Sequence, residues 1–250
     1  MRPRLQVTGL SRHFDGLYVT RNVSLDLDEG ARHALIGPNG AGKTTLVNLI
    51  SGALAPDAGR IVLDGDDVTG LDQAARVKRG LVRTFQINQL FPRLPVLDNV
   101  ALAVAERRGE SRRLLAAPRR GRETVDEALA LMDRLRLTAD ALKPVNELPY
   151  GRQRLVEIAI ALALEPRVLL LDEPAAGVPS AESHIILDAL AGLDPSIAIL
   201  IIEHDMDVVF RFADRVSVLV QGSILVEGSP DEIAAHHGVR EVYLGEVGHG

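Results

Sequence analysis

The stretch Gly37-Pro38-Asn39-Gly40-Ala41-Gly42-Lys43-Thr44-Thr45 fits the pattern G-x-x-x-x-G-K-[ST] and can be read directly as phosphate chemistry. Its glycines let backbone N–H groups turn inward around phosphate oxygens, where a Cβ would obstruct the turn. Lys43 supplies a point charge for β- and γ-phosphates, and the Thr44 hydroxyl is a ligand for Mg²⁺. Asn39, Gly40, Gly42 and Thr45 complete the candidate nucleotide-binding set. A second stretch, Val168-Leu169-Leu170-Leu171-Asp172-Glu173-Pro174, runs four apolar residues into two acids. That pattern describes a buried parallel strand whose carboxyl end opens on a site. Phosphoryl transfer needs a phosphate cradle, hard oxygen ligands for Mg²⁺ and a group that positions or deprotonates water. Asp172 fits the metal carboxylate and Glu173 the general base.

These groups require elements to hold them. Ala34-Leu35-Ile36 reads as a buried strand entering the loop, and Thr45 to Ile50 as the first turns of a helix leaving it, so the helix dipole would add to the phosphate site. Ile197 to Ile202 is another apolar strand and ends in Glu203-His204-Asp205. Residues 5–33 alternate weakly between turn signals at Asp15-Gly16 and Asp28-Glu29-Gly30, which predicts short strands in an antiparallel ribbon. Phe14 at the end of that ribbon is either a strand residue packed on the core or an aromatic platform for a purine. Leu81 to Gln86 reads as a strand ending in a glutamine, residues 96–106, 123–137, 155–164, 180–192 and 205–213 as helices, and 216–220 with 224–227 as a hairpin. Buried strands alternating with helices give an α/β fold with a mostly parallel sheet.

Bulk properties narrow the classes. The chain has 250 residues, 46% hydrophobic and 25% charged, which is ordinary for a globular protein. Its 28 basic and 34 acidic residues leave a net charge of -6, which argues against a nucleic-acid partner. There is no cysteine, so disulfides and thiolate metal sites are excluded. No signal peptide is expected from the N-terminal residues, and no apolar run approaches the roughly 20 residues of a membrane span. Work at a membrane would need another chain to cross it. Residues 107–122 hold seven arginines opposed within the segment by Glu110 alone, which predicts a solvated loop or, less simply, a contact with anionic headgroups or a partner's loops. His236-His237 reads as a surface pair rather than a metal site.

Taken together the motifs resemble the ATP-binding subunits of ATP-binding-cassette transporters. The residues that carry this are Gly37 to Thr45 (Walker A), Gln86 (Q-loop), Leu148 to Gln153 (signature), Val168 to Pro174 (Walker B with its glutamate) and His204 (switch histidine). Arg83-Thr84-Phe85-Gln86, Leu90-Phe91-Pro92, Leu148-Pro149-Tyr150-Gly151, Asp172 to Gly177, Glu203-His204-Asp205-Met206 and Val242 to Glu246 are similar to the branched-chain amino acid importers, and the inserted arginine-rich segment to the longer of that family's two cassettes. The resemblance implies a P-loop NTPase with a RecA-like, mostly parallel sheet, an antiparallel β subdomain and an inserted helical subdomain. All of 1–250 would be one ATP-binding domain, with 1–86 and 158–250 forming core and β subdomain and 87–157 the helical subdomain.

It further implies ATP and Mg²⁺ as cofactors, with Phe14 stacked on adenine and Thr44, Gln86 and Asp172 at the metal. Glu173 would be the base and His204 would contact the γ-phosphate. Leu148, Pro149, Tyr150, Gly151 and Gln153 would serve a second cassette's ATP. The implied partners are two transmembrane permease subunits, a second ATP-binding subunit and, indirectly, a solute-binding protein, with the chain peripheral on the cytoplasmic face of the inner membrane. An exporter ATPase such as one for lipopolysaccharide, or a soluble cassette ATPase, is the alternative. Two departures stand out: Pro149 and Tyr150 replace the common serine and first glycine of the signature, and Pro179 replaces the usual aspartate after Gly177-Val178.

Overall fold

The computed structural model describes residues 3–84, 90–110 and 118–245. It divides into two compact units. The first comprises Met1–Leu81, Arg167–Glu173 and Pro195–Gly250, and the second Val82–Pro166 and Pro174–Asp194.

In the first unit, β1 (Leu5–Phe14) and β2 (Leu17–Leu27) form a long antiparallel ribbon rather than the short strands expected. Register shifts between Val7 and Leu10 and between Leu10 and Arg12 break its alternation. Gly9 and Asn22 take positive φ there (62° and 50°), which is why the period-2 signal was weak. With β4 (Ala58–Leu63) and β5 (Asp66–Asp67) the ribbon makes a four-stranded sheet in the order β2-β1-β4-β5.

The second sheet contains β3 (Arg32–Ile36), β6 (Leu81–Arg83), β7 (Val168–Asp172), β8 (Ala198–Ile202), β9 (Arg215–Val220) and β10 (Ser223–Gly228) in the order β10-β9-β3-β8-β7-β6. The pairs β7–β8, β8–β3 and β3–β9 are parallel, and β10 closes the edge as a hairpin. Every residue of β8 is buried, as are the four apolar residues of β7, as their unbroken apolar runs require. One apolar core joins Leu5, Val7 and Leu25 of the ribbon to Leu35, Leu170, Leu200 and the helix after the phosphate loop.

That helix, α1 (Lys43–Ser51), ends on Gly52 in the left-handed conformation at φ 82°. Its carboxyl end is held by a residue the sequence did not advertise. Arg76, on α2 (Gln73–Val77), is 1% exposed. It donates to the carbonyls of Leu49 and Ile50 at 2.7 Å each, and to those of Leu71 at 3.0 Å and Thr69 at 2.8 Å. A cation at the carboxyl end of a helix opposes the negative end of its dipole, and here it also bonds carbonyls of the last turn, where the helical ladder runs out.

The second unit is largely helical: α3 (Val96–Arg107), α4 (Pro118–Arg134), α5 (Tyr150–Ala163) and α6 (Ser180–Ala191), in which α3, α4 and α5 pack mutually and α6 lies on α5. Two of the arginines of its inserted segment, Arg107 and Arg108, are ion-paired. Arg107 pairs with Glu127 and with Glu165, and Arg108 with Glu127 at 2.8 Å and Glu123 at 3.4 Å. The opposing acids lie just beyond the segment in sequence or far from it. Residues 118–122 belong to α4, which therefore starts earlier than the expected 123. Back in the first unit, α7 (Met206–Phe212), α8 (Pro230–Ala235) and α9 (His237–Gly245) complete the chain.

Arg76→Met keeps the bulk of the side chain and removes every donor. We expect a loss of roughly 3 kcal/mol or more of folding stability, because four carbonyls, two buried and two part-buried, lose a charged donor. A chemical-denaturation midpoint equal to that of the unchanged chain would contradict this.

Candidate active site

The parallel strands end together. Leu35 on β3 is level with Ile202 on β8, and Ile202 is level with Asp172 on β7. Strands lie about 4.8 Å apart, so Asp172 sits roughly 10 Å from the start of the phosphate loop along one edge of the sheet. The loop at 37–42, the pair Asp172-Glu173 and the turn Glu203-His204 therefore share the carboxyl edge, where open α/β sheets bind ligands.

The loop's path is fixed by close backbone approaches. A Cβ on Gly37 would lie 2.1 Å from the carbonyl oxygen of Leu219, and one on Gly42 would lie 2.3 Å from that of Val19. Gly42 is the residue ahead of α1 and has φ 102°, outside the range of ordinary side chains. Gly40, at φ 75°, has open space around it. Lys43 begins the helix and folds its ammonium back onto the loop, donating to the carbonyls of Gly37 at 2.5 Å and Pro38 at 3.0 Å. Its charge is thereby held over the concavity of the loop. Thr44 is exposed at the first turn of α1, beside the partly exposed Thr45, and Asn39 is exposed at the tip.

Glu173 adopts the left-handed region, φ 47°, and its N–H donates to the carbonyl of Ile202 at 2.9 Å. His204 Nδ1 lies 3.4 Å from Glu173 Oε1, and both side chains remain accessible. Glu203, 1% exposed, anchors the turn: its Oε2 accepts from the His204 N–H at 3.2 Å. Asp205 then caps α7 by accepting from the N–H groups of Asp207 and Val208. Neither the buried Glu203 nor the Asp205 cap was marked as a support of the site in the sequence, although Asp205 ahead of a helix is a recognisable cap signal.

Phe14 is 42% exposed, so it is not packed in the core. The Arg12 guanidinium lies 4.9 Å from its ring centroid. It ends β1 at the turn into β2, and β2 passes the loop at Val19. Gln86 lies outside the described residues.

The signature residues fall in the second unit. Helix α5 begins at Tyr150, not near Leu155, so Gly151 lies within its first turn rather than ahead of it. Pro149 accounts for the difference: it lacks an N–H, stands at the cap position, and its carbonyl accepts from Arg152 at 2.9 Å and Gln153 at 3.1 Å. Gln153 turns back to donate to the Leu148 carbonyl at 2.9 Å. Leu148 is buried and Tyr150 is 40% exposed. Below them the Arg154–Glu157 pair is almost wholly buried, and burial pushes the Glu157 carboxyl up to about 7. His237 pairs with Glu241 at 3.5 Å, and among the described residues no His, Cys, Asp and Glu cluster suits a metal.

A family model described as ABC transporter matches residues 20–176. The chain belongs to the ABC transporter family. A second model, described as branched-chain amino acid ATP-binding cassette transporter, matches residues 223–249. The cassette is 37% identical, over 98% of its length and 99% of the relative's, to the high-affinity branched-chain amino acid transport ATP-binding protein BraF of Pseudomonas aeruginosa. It is 38% identical to the corresponding LivG protein of Escherichia coli over 98% and 99% of the two chains. Among solved structures it is similar to an ATP-binding cassette of an ABC transporter in its ADP conformation, with a TM-score of 0.86 at 30% identity, covering 98% of this chain and all of that one. It is also similar to a dimeric bacterial ABC transporter cassette, with a TM-score of 0.75 at 27% identity over 90% and 98% of the two chains. Among the described residues of the cassette, no helix is long and apolar enough to cross a membrane.

The two loop glycines separate by mechanism. Without nucleotide, Gly42→Ala should lose more than about 2 kcal/mol of stability, because backbone must move. Gly40→Ala should lose only the left-handed penalty of about 1 kcal/mol. Equal losses in guanidinium titrations would refute the assigned contact with Val19.

Proposed function

We propose that this cassette is the ATP-hydrolysing subunit of an importer for branched-chain amino acids or closely related small solutes. The observation that carries the reading is the placement of Glu173 and His204, 3.4 Å apart, on the same sheet edge as the phosphate loop. The loop N–H groups and Lys43 bind the β- and γ-phosphates, and Phe14 offers the ring face not covered by Arg12 to adenine. Asp172 and the Thr44 hydroxyl suit Mg²⁺. One carboxylate and one hydroxyl, with Gln86 added, are few ligands, and this matches an ion that keeps waters and shares the nucleotide's phosphates. When bound, that ion would neutralise charge developing on the phosphates.

The chemistry left to the chain is placement of water and proton. Glu173 accepts a proton from the attacking water as its oxygen bonds to the γ-phosphorus and the bond to ADP breaks. His204, fixed by Glu203, orients both Glu173 and the phosphate. The histidine and the acid thus act as a pair whose separation is set by two neighbouring strands.

The solute class follows from the named activity of the relatives and from the matching carboxyl-terminal segment, both of which disfavour an exporter. The remaining parts of the assembly are two permeases that cross the membrane, a second cassette facing this one, and a solute-binding protein that meets the permeases. The cassette then lies on the cytoplasmic face of the inner membrane. The phosphate loop of this cassette would be closed by the second cassette's signature segment, and a similar cassette is dimeric.

In the complex assembled with permeases and second cassette, Glu173→Gln should retain ATP binding and slow hydrolysis on the order of 10²-fold or more. Turnover near the unchanged level would remove Glu173 from the role of base. Lys43→Ala should weaken binding of a fluorescent ATP analogue to the isolated chain on the order of tenfold or more, a charged contact being worth about 1.5–3 kcal/mol. ATP-driven leucine uptake by vesicles holding the complex tests the solute: uptake that ignores ATP or branched-chain amino acids would refute the importer assignment.

A further inference from the structure

Tyr150 stands where the common signature has a glycine, and the structure shows what its ring does. It does not point away from the unit as a donor for a phosphate. The ring lies on Gly177, where a Cβ would come within 2.9 Å of Tyr150 Cε1. Gly177 has φ 75° and sits in the turn closed by the Val178 N–H donating to the Ala175 carbonyl at 3.1 Å. Arg154, one helical turn along α5, donates from Nη2 to Tyr150 Oη at 3.1 Å and reaches the Ala176 carbonyl at 3.5 Å. Its guanidinium carbon is 5.2 Å from the ring centroid. Nη1 donates to Glu157 Oε2 at 2.9 Å. A ring, a guanidinium and a carboxylate on successive turns of one helix therefore hold one short turn of chain.

That turn begins two residues after Glu173. Glu173 itself sits in the left-handed region, a conformation that persists only where its surroundings enforce it. On the upstream side β7 enforces it. On the downstream side the chain runs into the turn at 175–178, which the Tyr150 and Arg154 contacts hold within the second unit. The ion pair beneath them is poorly explained by stability alone. The Arg154 and Glu157 side chains are 11% and 3% exposed. Among the described residues Arg154 Nε and Glu157 Oε1 have no hydrogen-bond partner. A buried pair with unmet polar atoms contributes little net stability, but it does hold the guanidinium in one orientation.

We propose that Tyr150 and Arg154 are positioning residues for ATP hydrolysis, clamping the turn Ala175–Val178 to the first two turns of α5. The chain leaving Glu173 and the helix end that serves the second cassette's nucleotide are thereby held by one linkage. Tyr150 replaces the lost signature glycine with a structural contact rather than with a substitute phosphate donor. The proposal rests on the importer-ATPase reading above.

The test uses the assembled complex. Tyr150→Ala should lower kcat for ATP about tenfold or more with KM unchanged, the scale expected when a catalytic group is displaced by a fraction of an ångström. Tyr150→Phe, which keeps the ring on Gly177, should retain most of the activity. Combining Tyr150→Ala with Arg154→Met and Glu157→Gln should cost no more than the worse component, because all act through one turn. Isolated chains carrying Tyr150→Ala should bind the fluorescent ATP analogue as tightly as the unchanged chain. If Tyr150→Ala melts early, the pair Arg154→Met with Glu157→Gln carries the test, since it removes both buried charges and keeps the helix packed; it too should lose kcat about tenfold at unchanged KM. A kcat within twofold of the unchanged complex, multiplicative losses, or weakened ATP binding by the isolated chain would each overturn the clamp. Failure of the clamp leaves Glu173→Gln inactive and the unchanged complex active. An unchanged complex that does not hydrolyse ATP would overturn the reading of the site and the clamp with it.

Discussion

The phosphate site depends on how closely three pieces of backbone pass one another. Gly37 runs against the Leu219 carbonyl and Gly42 against that of Val19, each closer than any Cβ could tolerate. A Cβ on Gly222, at the tip of the β9–β10 hairpin, would lie 2.7 Å from the same Val19 carbonyl. The Gly222 carbonyl accepts from the Arg21 N–H at 2.7 Å, and its own N–H donates to Ala41 at 2.9 Å. The loop, the ribbon and the hairpin are thus locked without side chains between them. Once that is set, the direction of α1 follows, and Arg76 on α2 ties down its carboxyl end. The loop is anchored at its start by glycine contacts and at the end of its helix by a buried cation, some nine residues of helix apart.

What could be read from sequence was the chemistry that lies in contiguous stretches. Lys43, Thr44, Asp172, Glu173 and His204 each follow or precede an apolar run, and apolar runs of that length end at the edge of a parallel sheet. The edge then brings them together, so local patterns were enough. Three features were not readable for the same reason in reverse. Arg76 looks like any surface cation on a five-residue helix; only the fold places it under α1. Arg154 and Glu157 have the spacing of an ordinary exposed helical pair, and only the fold buries them. Tyr150 and Gly151 are weak helix formers, so local propensity points to a start of α5 near Leu155, whereas the helix begins at Tyr150 with Pro149 at its cap.

The same distinction explains the arginine-rich segment. Counting charges along the chain sets seven arginines against Glu110, and a solvated loop follows. The folded unit instead sets Arg107 and Arg108 against Glu123, Glu127 and Glu165, two of which follow the segment on α4 and one of which lies beyond α5. These pairs tie α3 to α4. Exposed pairs are individually weak, but Arg107 and Arg108 share Glu127, and a network with a partly buried hub orients helices better than separate pairs do.

Glu173 shows how the local strain and the chemistry meet. A glutamate in the left-handed region costs on the order of 1 kcal/mol or more relative to ordinary backbone. An extended Glu173 would continue β7 and point its side chain to the face of the sheet opposite that of Asp172. The left-handed turn ends the strand after Asp172 and directs the next carboxylate toward the neighbouring strand end, where His204 stands. The N–H that would have continued the ladder is kept satisfied by Ile202, so no buried donor is lost in the change of direction. Two adjacent acids thereby part at the strand end, with Glu173 beside the histidine. The backbone conformation, not the side-chain type, is what separates them.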